Sequence, residues 1–402
     1  MSSPNALATV IYTILAWATG VAVALGQNQP ADCRPAPGNA EVSQPPLFEI
    51  MADQPQSPGC PDLGADQSSF FPRWTAAADC IMLDRLGGAS QTLVQRVPNT
   101  LPNDRRPGSA NFGNLFTAPG TEALSGDDFQ QGFSAGPRID LIRHGDSGYD
   151  WELSYFQIDG WNSDKTVVPN SASDCLLMRT PGRWLEPAET PGGWIGWIQT
   201  NQSATQAMAW DYASRLYNAE FNVRWDPSPR VTMLAGFRWV NLSESLVGAL
   251  SPPTLSWEPP FWNTRTTNNL YGFQIGADGK LFERGRFSIN VPIKAGIFDN
   301  NAEATTAVSV IAKQVATGSA STNHAAFVGE TGLRCTYQLT DALLLRAGYE
   351  LIWIDGVALA PGQVQDTYTT TDNLHNTVQQ LGVNCSSGTF YHGATAGLEY
   401  SF

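Results

Sequence analysis

Between Leu216 and Trp225 apolar and polar side chains alternate with a period of two. Tyr217, Ala219, Phe221, Val223 and Trp225 share one face, while Asn218, Glu220, Asn222 and Arg224 share the other. After the turn-forming Asp226-Pro227-Ser228-Pro229, Val231, Met233, Ala235, Phe237 and Trp239 alternate with Thr232, Leu234, Gly236, Arg238 and Val240. Two such runs across a short turn predict an antiparallel β-hairpin. Three further hairpins follow the same rule, across residues 144–148, 283–285 and 340–341. One strand precedes them, from Trp74 to Met82, and one closes the chain, from Phe390 to Phe402. That makes ten strands.

The connections sort by length. Short turns alternate strictly with long segments, at roughly 84–130, 161–206, 247–265, 299–322 and 356–388. A sheet threaded repeatedly through a membrane produces this sorting, with short periplasmic turns and long outer loops. A soluble sandwich has no reason to sort its loops. The expected fold is therefore all-β, a transmembrane antiparallel up-and-down barrel of about ten strands. Pro137 and Pro292 lie within strands and predict local breaks in the ladder.

The two faces differ in charge. On the polar face stand the acids Asp79, Asp140, Asp150, Glu152, Glu220, Asp278, Glu330, Glu350 and Glu399. The bases Arg138, Arg224, Arg238, Lys280, Arg286, Lys294, Arg334 and Arg346 share it. The opposite face carries Trp151, Tyr155, Trp225, Trp239, Tyr271, Tyr349, Trp353 and Tyr400, mostly near strand ends, where headgroups favour Trp and Tyr. The charged face is expected to line the lumen. An unpaired enclosed ion costs several kcal/mol, so arginines and carboxylates should pair there and narrow the interior.

Composition supports export to an envelope and little else. Lys and Arg total 23 against 37 Asp and Glu, a formal charge of −14. A chain this acidic is ill-suited to a nucleic-acid backbone. Residues 1–26 read as a signal peptide, apolar from Ala6 to Leu25 with small residues before a cleavage site. Residues 27–72 read as a Pro-rich linker, which Cys33 and Cys60 could close into a loop. The barrel is expected over 73–402. Cys175 and Cys385 fall in outer loops and are expected to pair, while Cys80 and Cys335 face lipid as free thiols.

Leu398, Tyr400 and Phe402 end the last strand with alternate apolar and aromatic residues. This ending is similar to the signal read by outer-membrane assembly machinery. The segments LYNAEFNVR (216–224), LAGFRWVNLSESL (234–246), GYDWELSYF (148–156) and the final GLEYSF resemble the β-barrel porin family of planctomycete-type bacteria. The resemblance implies an outer-membrane barrel and assigns no catalytic residue. Expected partners are outer-membrane lipid, the assembly machinery and small solutes; no cofactor or metal is expected.

Catalysis finds little footing. Of the four histidines, His144 falls in a turn, His375 in a loop and His392 on the outer face. His324 is the one candidate base near the loop mouth, and no G-x-S-x-G elbow is present. The acidic run from Asp299 to Glu303 lacks calcium-loop spacing. Trp184, Trp194 and Trp197 could stack on sugars but are better read as folding over the mouth. The favoured reading is a porin-like barrel with a salt-bridged lumen, serving as a narrow channel or in a structural, surface role. A rim hydrolase and a secreted binding module are the alternatives.

Overall fold

The computed structural model describes residues 73–98, 120–170, 174–179, 197–199, 207–251, 262–310, 314–364, 368–371, 377–380 and 382–402. The expected signal peptide and linker, Cys33, Cys60, Trp184, Trp194 and His375 lie outside them. Ten strands close a barrel: β1 (Trp74–Leu86), β2 (Phe133–Arg143), β3 (Tyr149–Val167), β4 (Ala207–Ser228), β5 (Val231–Ser251), β6 (Trp262–Arg284), β7 (Phe287–Val310), β8 (Gln314–Gln338), β9 (Leu343–Val357) and β10 (Ser387–Ser401). Each strand pairs antiparallel with its chain neighbour, and β1 pairs with β10 to close the cylinder.

The four turns fall where the alternation breaks. The outer connections are shorter than expected in two places. Residues 299–310 and 314–322 are ladder, not loop: Asp299 pairs with Ala325 and Glu303 with Ser321. Likewise β5 runs to Ser251, and β6 begins at Trp262. The reason is physical. The outward positions turn polar at Asp299, Asn301 and Glu303, because these strands continue beyond the hydrocarbon layer. Alternation in hydropathy ends there; hydrogen bonding does not.

Below that level the outward face is apolar. Phe273 is 78% exposed, Ile297 75% and Ile275 69%. Exposure of this size on adjacent strands suits contact with lipid chains. On β10 the belt runs from Tyr400 up to Phe390. Ten residue-to-residue steps of about 3.4 Å each, tilted by about 40°, rise about 26 Å, close to the apolar height of such barrels. Cys80 and Cys335 are free thiols at outward positions in this belt. Pro292 interrupts the β7–β8 ladder, where pairing skips from Asn290 to Ile293, and its carbonyl accepts from Thr331 Oγ1 at 3.1 Å instead. Pro137 sits where the β2–β3 ladder ends; that pairing starts at Arg138.

The chain end fastens the seam. Arg73 and Trp74 N–H both donate to the Phe402 carbonyl at 2.9 Å, and Phe402 N–H donates to Trp74 at 2.8 Å. The Tyr400 and Phe402 rings stack at 5.8 Å on the lipid side. Deleting Phe402 removes all three bonds and leaves the first strand frayed at the junction with the last. The expected result is a drop in heat-resistant, folded protein recovered from membranes and its degradation in the periplasm. Wild-type yield and heat resistance from the truncated chain would rule this out.

Candidate functional site: the barrel interior

Inward positions, every second residue of each strand, build three tiers. The tier nearest the short turns is ionic. Arg238 lies between Glu220 (Nε, 3.5 Å) and Glu330 (Nη2, 2.9 Å), and Lys294 bridges the same two acids at 2.9 and 3.5 Å. Arg346 meets Asp79, Asp140 and Glu399 at 3.2–3.3 Å. Arg138 pairs with Glu350 while its guanidinium rests 5.0 Å over the Phe156 ring. Arg224 pairs with Glu152 at 2.5 Å and Arg334 with Asp278 at 3.4 Å. Neutral amides complete the tier. Asn218 accepts from Arg238 Nε at 2.6 Å, and Gln274 donates to Glu220 at 2.7 Å and Asn222 at 2.9 Å. These charges are enclosed and mutually compensated, the condition under which enclosed ions are tolerated.

Of the expected lumen residues, one stands elsewhere and one stands at the rim of the lumen. Arg286 is exposed in the turn before β7, since the ladder that would aim it inward starts only at Phe287. Lys280 sits at the rim, bonded to Glu283 at 3.1 Å. Within the ionic tier, lined by Arg138, Glu152, Lys294, Glu330 and Arg346, lies a cavity of about 380 Å³ that opens toward the short turns.

The second tier is apolar and crosses the barrel. Ile81, Leu83, Phe156, Ile158, Trp161, Leu216, Val240, Leu242, Leu270, Phe298, Val328, Ile352, Ile354 and Tyr391 pack together at no more than 2% exposure. They come from every barrel strand except β2. Trp161 donates its indole N–H to the Leu83 carbonyl at 3.0 Å and lies 5.1 Å from the Tyr391 ring. This septum is level with the outer aromatic girdle: Phe156 follows Tyr155, Val240 follows Trp239, and Leu270 precedes Tyr271. Paired charges were expected to narrow the interior; beside them the structure has this apolar layer packed across the lumen.

Above the septum a segment of chain fills the mouth. Gly356, at φ +81°, turns the backbone inward; a Cβ there would lie 2.6 Å from the Ala325 carbonyl. Residues Ala358 to Val364 are all buried. Asn268 holds Ala358 on both sides, donating to its carbonyl at 2.9 Å and accepting from its N–H at 2.7 Å. Asn300 donates to the Gly356 carbonyl at 3.0 Å. Glu244 accepts from Ala360 N–H and from Tyr212 Oη, both at 2.8 Å, and pairs with Arg85, which also donates to Thr389 and Gln131. Over this plug an accessory sheet (Thr121–Ser125, Thr92–Pro98, Asp174–Arg179, Trp197–Gln199) adds Leu93, Val94, Leu124 and Leu176 to a cluster with Trp210 and Trp262 of the wall.

Sequence reasoning did not single out Arg85, Glu244, Asn268 or Asn300. The signal was there: Arg85 continues the parity of Ile81 and Leu83, and Glu244 lies between Leu242 and Leu246 on the same face. Cys385 is a free, buried thiol packed with Ala302 and Ala358, so the expected Cys175–Cys385 bridge is not formed. Burial pushes that thiol up to about 11.

Among the described residues the histidines offer no enclosed base. His324, on β8, shares the inner face of the wall with its ladder partner Asn300 and is exposed there. His392 faces outward and bonds Tyr349 Oη at 2.6 Å. His144 is the one with a chain of partners: Nδ1 to Asp150 at 2.7 Å and Nε2 to Thr75 Oγ1 at 2.9 Å, which in turn meets Ser401 at 3.0 Å. The order resembles a hydrolytic relay, but an oxyanion would need free donors beside it. The nearby Gly145 and Trp74 N–H groups are spent on Asp150 and Phe402. The relay ties β1, β3 and β10 together at the seam. Among the described residues no group of three or more His, Cys, Asp or Glu could hold a metal ion.

Residues 75–402 match the family model described as "Putative beta barrel porin-7 (BBP7)". No curated protein matches the chain. Among solved structures, the outer membrane protease OmpT from Escherichia coli is similar at 10% identity and TM-score 0.42, covering 82% of this chain and 96% of that one. The toluene transporter TbuX from Ralstonia pickettii is similar at 8% identity and TM-score 0.31, covering 82% and 89%. The translocator domain of the autotransporter NalP from Neisseria meningitidis is similar at 10% and 0.31, covering 83% and 89%.

Proposed function

The chain belongs to this β-barrel porin family and is an outer-membrane barrel, and from that premise we propose that it is a non-conducting one, a closed wall that anchors its outer sheet at the cell surface. The observation that carries this reading is the septum. Fourteen side chains from nine of the ten strands meet across the lumen, apolar apart from the Trp161 indole N–H, which is bonded to the Leu83 carbonyl, and the Tyr391 hydroxyl. Water and ions do not cross an apolar constriction of this kind, because neither their hydration nor their charge is replaced there. Ten strands enclose little more than eight, whose inward side chains already fill the interior. The mouth plug and the accessory sheet then lie on top of a barrier that is complete without them.

A surface role follows from where the structure invests its polar groups. The strands extend past the lipid belt with hydrophilic outward faces, and the buried Arg85–Glu244 cluster holds the mouth segments to the wall. Purified protein reconstituted in planar bilayers should give no channel openings, and loaded liposomes should not swell in permeant sugars. A large, stable conductance from the wild-type protein would overturn the proposal.

A further inference from the structure

The cavity within the ionic tier adjoins a second one of about 520 Å³ beneath the β4–β5 turn, and both share Arg224, Asp278, Lys280 and Asn290. Together they fall in the size range of small-ligand sites. The short-turn end of this space has unfinished bonding, as the charges deeper in the tier do at Asp79 Oδ1, Arg138 Nε and Arg346 Nε. Asp278 Oδ1 and Asn290 Oδ1 are buried atoms with no hydrogen-bond partner. A carboxylate has acceptors only, so no rotation lets Asp278 turn a donor toward that space.

The cations around these acceptors are equally under-used. Arg334 spends one N–H on Asp278 Oδ2 at 3.4 Å, Arg224 one on Glu152, and Lys280 one on Glu283. The ladder places them in one layer, with Asn290 paired to Lys280 on one side and to Arg334 on the other, and Asp278 one inward step above Lys280. Each cation already has one acid beside it, so the layer is close to neutral. A bare anion would meet its repulsion as well as its attraction. A molecule carrying both signs would not.

We infer that this periplasm-facing vestibule binds a small zwitterion of the amino-acid type. Its ammonium donates to Asp278 Oδ1 and Asn290 Oδ1 after these two side chains, whose oxygens are closed to solvent, turn toward the cavity. Its carboxylate, on the neighbouring carbon, accepts from the idle N–H groups of Arg334 and Arg224, with Lys280 at the rim. Charge-assisted bonds of this kind, made to otherwise unsatisfied buried atoms, are the strong ones. The site lies below the septum, so binding does not depend on whether the barrel conducts.

The test uses the full-length folded protein in detergent micelles, with alanine, acetate and ethylammonium as probes read by saturation-transfer NMR. Alanine has few atoms, so its dissociation constant should be on the order of 10 mM. Acetate and ethylammonium should each bind at least about tenfold more weakly, since each satisfies one half of the site. Asp278→Asn should lose about tenfold for alanine. Lys280→Met, at the half-exposed rim where folding is not at risk, should weaken alanine several-fold and decides the matter if the first variant fails to fold. The inference is overturned by acetate binding as well as alanine, by wild-type affinity in either folded variant, or by no saturable alanine binding up to about 100 mM.

Discussion

Replacing Glu244 by alanine should cost about 3–5 kcal/mol and loosen the mouth of the barrel, because it strands a buried guanidinium. Arg85 and Glu244 are 1% and 0% exposed, between the septum below and the accessory sheet above. The substitution does more than break one pair. Tyr212 Oη and Ala360 N–H lose their acceptor at the same time, and Ala360 belongs to the plug. Three donors are left in a dry site, each with a desolvation cost of its own. Heat-induced unfolding followed by gel mobility should show the loss of stability, and external protease should cut the plug region in the variant before it cuts the wild type. A companion variant isolates the cause. Arg85→Met with Glu244→Leu removes both charges and fills similar volume, so it should recover the part of the loss that the stranded guanidinium causes, while Tyr212 Oη and Ala360 N–H still lack their acceptor. If Glu244→Ala unfolds like wild type, the cluster does not hold the mouth.

That cluster also shows where the sequence could be read and where it could not. Strands inside the lipid belt were legible from one property, period-two hydropathy, because one face meets hydrocarbon and the other does not. Residues such as Phe221, Phe237 and Tyr271 state this unambiguously. The signal disappears at Asp299, where the outer face meets water and both faces turn polar, so β7 and β8 looked like loop although their ladder runs on to Val310 and from Gln314. Charged inward residues were equally visible, since Arg238 or Glu220 has no reason to sit in a membrane strand otherwise. Apolar inward residues were not. Phe156, Val240 and Phe298 occupy inward positions among outward hydrophobes, and period two alone does not say that side chains from opposite walls meet. The septum is a property of the closed cylinder, set by its diameter and by side chains distant in sequence. The plug was beyond reach for the same reason: residues 358–364 carry no alternation and acquire their place from Asn268, Asn300 and Glu244 on three different strands.

Widening the charged tier should leave the barrel closed, whereas cutting into the septum and plug together should open it. Arg224→Ser with Arg334→Ser enlarges the vestibule at modest cost, since both arginines are partly exposed, at 20% and 27%. If ion pairs were the gate, removing two arginines would raise conductance. The apolar layer above them is untouched, so the expected result is a baseline as silent as the wild type. The contrasting variant carries Trp161→Ala and Phe298→Ala, with Ala358–Val364 replaced by a Gly-Ser segment of equal length. Trp161 and Phe298 come from opposite sides of the ring, on β3 and β7, and their rings supply much of the closure. Without them the constriction can wet, and without the plug nothing buried sits on its outer side. Discrete conductance steps are expected from this combination. The aromatic pair alone and the plug replacement alone should stay silent, because each leaves one complete barrier in place. Channel openings from the Arg224→Ser, Arg334→Ser protein would place the barrier in the ionic tier instead. Silence from the combined variant, verified as folded by its heat-resistant mobility, would mean that the remaining wall residues close the lumen by themselves.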